Sequence, residues 1–106
     1  MANLDAISPD AMKIAGECLR ATVKGPFFPD WEFQTLIGVE RDVVKILLDA
    51  WPKQGLDDIE FYCAVMASMT NLLGYPHGDD EIWSDHISCP PHRVRDVIEE
   101  FKAVDL

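Results

Sequence analysis

The sequence predicts an all-α fold, an irregular four-helix bundle with two aromatic-rich loops. Three observations predict it. Apolar residues recur at helical spacing in four stretches, proline and glycine punctuate the chain where those stretches end, and no useful run alternates apolar and polar residues as a strand would. Residues 1–106 hold one domain with one core, and surface scaling gives a folded area of ~6,000 Å². With 48% hydrophobic and 26% charged residues, the chain is too apolar for a disordered tail.

The first helix opens at Ser8-Pro9-Asp10: a capping hydroxyl, a proline whose missing N–H costs nothing, and an acid at the positive end of the dipole. Met12, Ala15, Leu19 and Val23 share a face. Arg20 and Lys24 occupy the last turn, Gly25 caps it, and Pro26 forbids continuation. The first aromatic loop follows with Phe27, Phe28, Trp31 and Phe33 in seven residues, which favours folding back over the core. Asp30 is positioned to cap a short helix over 31–37, ended by Gly38. A second helix over 39–51 is expected to bury Val43, Leu47 and Trp51, flanked by Val44, Ile46 and Leu48, before Pro52. Its wide stripe suggests a central position.

A capping box, Asp57 with Glu60, opens the third helix. That helix runs through Ile59, Tyr62, Cys63, Val65, Met66, Met69, Leu72 and Leu73 to Gly74, apolar on most of its circumference and so expected innermost. Residues 75–89 read as a long polar loop, a length often associated with function. Pro90 and Pro91 then open a fourth helix carrying Val94, Val97, Ile98 and Phe101.

Charge is the strongest functional signal. The formal net charge is −10. Between Lys53 and Arg93 there is no Lys or Arg, while Asp57, Asp58, Glu60, Asp79, Asp80, Glu81 and Asp85 all lie in that interval. An acidic surface repels nucleic-acid phosphate. Residues 33–51 outline a helix-turn-helix, but Glu40, Asp42 and Asp49 outnumber Arg41 and Lys45 on its second helix, against a DNA role. No apolar run is long enough for a membrane span, and the basic-then-apolar layout of a signal peptide is absent, so a cytoplasmic location is expected.

Cys18, Cys63 and Cys89 are too few and too widely spaced for a disulfide scaffold, which favours reduced thiols. Cys18 and Cys63 fall on apolar helix faces. Cys89, at a helix start with His86 and His92 nearby, is the one candidate nucleophile. No glycine-rich phosphate loop, Gly-x-Ser-x-Gly elbow or His-Glu-x-x-His motif is present, so no enzyme and no cofactor is expected. The 77–92 segment gathers His77, His86, Cys89 and His92. Their spacing fits no standard zinc pattern, and the local acids lack a calcium-loop layout.

Two strings carry a resemblance. Gly25-Pro26-Phe27-Phe28-Pro29-Asp30-Trp31-Glu32-Phe33 with Thr35-Leu36-Ile37-Gly38, and Asn71-Leu72-Leu73-Gly74-Tyr75-Pro76-His77-Gly78, resemble stretches of small uncharacterised bacterial all-helical proteins. In size, acidity and helical character the chain is also similar to bacterial immunity proteins, which neutralise basic nuclease toxins. The tyrosine-rich helix motif of the nuclease-colicin immunity proteins is absent, so no binding residue carries over.

The reading that follows is a non-enzymatic acidic protein that docks a basic protein partner, with the immunity class as one form. The expected contacts are Asp57, Asp58, Glu60, Asp79, Asp80, Glu81 and Asp85, with Trp83 and Tyr75 as aromatic anchors. The same aromatics, packed near Phe27 and Phe28, would otherwise form a lid on the core. Asn71 and His77 could line a small-ligand pocket between the loops. Two alternatives stand beside this reading: a metal-binding protein using His86, Cys89 and His92 in the 77–92 loop, and a homo-oligomer with aromatics at a self-interface.

Overall fold

A computed structural model describes residues 7–51, 59–75, 78 and 80–103. Among them are six α-helices and no strand: α1 (Pro9–Lys24), α2 (Asp30–Ile37), α3 (Arg41–Ala50), α4 (Ile59–Gly74), α5 (Trp83–His86) and α6 (Pro91–Lys102). A 3-10 turn, Asp80–Ile82, leads into α5. The accessible surface, 5997 Å², agrees with the scaling expectation.

Local signals set the clearest boundaries. Ser8 Oγ accepts from the Ala11 N–H at 3.2 Å with Pro9 opening α1, and the Gly25 N–H closes it on the Ala21 carbonyl at 2.8 Å. Gly38 ends α2 at φ +94°, a left-handed conformation that a side chain would strain. Pro91 opens α6. The Asp57 capping box lies outside the described residues.

The core joins α1, α4 and α6, with α2 packed on α4, and α3 and α5 on α1. Leu19 and Cys18 from α1, Val65, Met69 and Leu72 from α4, and Val94, Val97 and Phe101 from α6 are fully enclosed. Buried polar groups are satisfied locally: Thr22 donates to the Cys18 carbonyl at 2.9 Å and Ser68 to the Ala64 carbonyl at 2.8 Å. Longer links fix the helix pairs. The Tyr62 hydroxyl reaches the Phe101 carbonyl at 2.7 Å, and Glu100 accepts from the Ser8 N–H at 2.6 Å. The Trp51 indole donates to the Met12 carbonyl at 3.3 Å and lies so close over Gly16 that a Cβ there would sit 2.7 Å from its nitrogen.

Six expectations need correction. The buried face of α3 is Val44 and Leu47 rather than Val43, Leu47 and Trp51, with Val43 and Trp51 half-buried and Ile46 66% exposed. That helix is also peripheral, packing chiefly on α1 and α2 among the described residues, because one flank of its wide stripe faces solvent. Asp30 begins α2 instead of capping it, and its carboxylate meets Arg41 at 2.9 Å. Trp31 does not fold over the core: it projects from α2, 79% exposed, while Phe27, Phe28 and Phe33 are buried. Cys63 is exposed on α4. The sixth concerns residues 75–89, which contain the 3-10 turn and α5 in place of a continuous loop.

Candidate functional site

α5 and the turn into α6 form a tightly closed corner on the surface. Trp83 anchors it. Its ring meets Phe27 edge-on at 6.2 Å and its indole N–H donates to the Cys89 carbonyl at 2.7 Å, which closes residues 83–89 into a tight corner. His86 also packs edge-on against Phe27, at 5.4 Å. From the neighbouring helix, Glu17 accepts from the Ser88 N–H at 2.8 Å and from its hydroxyl at 2.7 Å, pinning the corner to α1. Arg93 then reaches Asp10 at 2.7 Å, tying α6 to the first turn of α1.

This corner frames a groove of about 530 Å³ walled by Trp83, Ser84, Ile87, Cys89, Pro90 and Pro91. The volume lies within the ~300–1,000 Å³ of clefts that hold small ligands. Its walls are mostly apolar, and its surroundings are acidic. Glu81 and Asp85 are exposed, and neither has an ion pair among the described residues. The described cations that form ion pairs do so outside the 54–92 interval: Arg41 with Asp30, Arg93 with Asp10, Lys102 with Glu99.

The expected contact residues divide. Glu81 and Asp85 are placed on the outer surface beside α5. Asp80 and Glu60 lie in the 3-10 turn and α4 respectively, while Asp57, Asp58 and Asp79 fall outside the described residues, as does His77. Trp83 is only 6% exposed, so it forms the floor of the corner and not a projecting anchor. Tyr75 is half-buried, edge-on to Phe28 at 5.6 Å, and its hydroxyl donates to Glu32. That hydrogen bond, with burial and the adjacent carboxylate charge, raises the Tyr75 pKa above 10.

The other chemical candidates do not assemble. His86 packs inward, Cys89 is half-buried and His92 is exposed; among the described residues no three metal-ligating side chains converge. Burial and the Glu17 charge push the Cys89 thiol up, outweighing the opposing influence of Arg93, so the thiolate a nucleophile needs is disfavoured. Asn71 is not free for a ligand, since its amide donates to the Leu36 carbonyl at 2.9 Å and the Ala67 carbonyl at 2.8 Å. Glu17, Ile87, Pro90 and Pro91 were missing from the expected set. The paired prolines, which open α6 and stiffen the segment before it, were the visible signal.

Comparison with known proteins adds no assignment: no family model, no curated protein and no solved structure matches the chain. Among the described residues, no helix is long and apolar enough to cross a membrane.

Proposed function

We propose that this protein is a non-enzymatic acidic docking protein whose α5 surface receives a basic protein partner. One observation carries the reading. The interval between Lys53 and Arg93 holds seven carboxylates and no cation, and Glu81 and Asp85 are exposed with no ion pair among the described residues. Charge of one sign on one surface speeds encounter with a partner of the opposite sign and repels wrong ones. An immunity protein that neutralises a basic toxin is one form of such a protein, and the cytoplasm is where it would act. The satisfied core of α1, α4 and α6 supports this role, because a rigid scaffold can present Glu81 and Asp85 without rearrangement on binding.

The test is affinity capture with two baits, the native chain and the triply reversed D79K/D80K/E81K form. Basic proteins that elute from the native bait with salt are expected to be missing from the reversed one. Identical recoveries from both baits contradict the proposal.

A further inference from the structure

We infer that the groove between α5 and the start of α6 binds an apolar–basic peptide segment, its apolar side chain seated on the groove wall and its adjacent Lys or Arg on Glu17. The inference rests on the docking reading and specifies the partner's chemistry at a place the acidic surface alone does not select. Three features of the molecule argue for it.

The groove is built to stay open. Pro90 and Pro91 stiffen one wall, and the Trp83 indole is held by both the Cys89 carbonyl and Phe27. A preorganised wall loses little entropy when it is covered. The rim also carries carboxylates. Glu17 spends its hydrogen bonds on Ser88, a neutral residue, and forms no ion pair among the described residues, although Lys13 and Arg20 lie one turn to either side of it on α1. Asp85, next to the wall residue Ser84, is exposed. Finally, the cation that acts on the Cys89 thiol, Arg93, is already engaged by Asp10. An acidic segment would meet uncompensated carboxylates, and a neutral one would gain apolar contact only. A segment with both characters satisfies wall and rim together.

The experiment is an NMR titration of the full ¹⁵N-labelled chain with three synthetic octapeptides: alternating Leu and Arg, alternating Leu and Gln, and alternating Gly and Arg. The Leu–Arg peptide is expected to shift the Trp83 indole N–H and the amides of Ile87, Ser88, Cys89 and Arg93. It should bind at least about fivefold more tightly than either control. Ser84→Arg, a change at an exposed wall position, should weaken it by about tenfold through clash and like charge. Glu17→Gln, whose amide oxygen can still accept from Ser88, should weaken it by about threefold. Thermal melts of both variants confirm that they fold.

Equal binding of the Leu–Gln peptide in the groove would overturn the role given to charge. If the Gly–Arg peptide binds as well and shifts only residues around Glu81 and Asp85, the groove proposal falls while the docking reading stands. If neither cationic peptide binds, both fall. Groove shifts that grow with protein concentration alone identify a second copy as the occupant and overturn the peptide.

Discussion

Two charged side chains staple loops to α1, and they spend their charge differently. Arg41 closes the C-terminal end of α1, donating to the carbonyls of Thr22 at 3.1 Å and Val23 at 2.7 Å and to Phe28 at 3.0 Å. It also pairs with Asp30 and lies 4.3 Å over the Phe33 ring. The last carbonyls of a helix lack partners and carry its negative end, so a guanidinium there is consumed by structure. Glu17, on the same helix, holds the corner at Ser88 by hydrogen bonds from a neutral residue. Its charge is left over. One staple is a closed structural unit, and in the proposed reading the other keeps its charge for a partner.

The sharpest way to break this contrast is to remove Arg41. Arg41→Ala strips three carbonyls of their donor, and chemical denaturation should show a loss of about 3 kcal/mol. Arg41→Lys should recover less than half, because an ammonium cannot reproduce the planar fork. A loss under ~1 kcal/mol for Arg41→Ala would mean the staple is ornamental.

Glu17→Ala comes next and should cost about 1 kcal/mol, since the Ser88 groups it serves are exposed and water can replace it. Glu17→Gln should stay within ~0.5 kcal/mol of the native chain, the carbonyl oxygen accepting in the same place. Rescue by the neutral isostere at Glu17, and failure of rescue at Arg41, would separate charge held in reserve from charge built into the fold.

How much of this was legible beforehand depends on where the information lies. The ends of α1, α2 and α6 could be read because Ser8, Gly38 and Pro91 act within a few residues of themselves. The register of α3 could not. Val43, Val44, Ile46, Leu47 and Leu48 make a stripe wider than the face it buries, and α1 and α2 choose which edge stays wet. The single turn of α5 carries no periodicity and is anchored by Phe27, far away in sequence. At the site, the cation-free interval was visible as composition. Glu17 was not, because its partner Ser88 is 71 residues away and neither residue belongs to a motif.

Thiol chemistry gives a smaller effect that probes the same corner. A thiol reagent should modify exposed Cys63 first, half-buried Cys89 more slowly and buried Cys18 last. Burial pushes the Cys18 thiol well above its ordinary value of 9.0, and Cys89 moves the same way. The unfolded chain therefore releases these protons at lower pH than the folded one. Their contribution to stability is complete below about pH 9 and is lost progressively as pH rises beyond it. Tyr62, raised above 10.0 chiefly by burial, extends the decline to higher pH. Melting temperatures between pH 7 and 11 should fall along that course; a rise would reverse the assignment of the protonated form to the folded state.

Association kinetics reach the central claim most directly. The rate constant for a basic partner captured by the native chain should be measured across ionic strength, beside the D79K/D80K/E81K form. Electrostatic steering predicts a fall of about tenfold or more between dilute buffer and ~0.3 M salt, and a flattened dependence after reversal. Rates that ignore salt, or that fall equally for both forms, would contradict an acidic docking surface at α5.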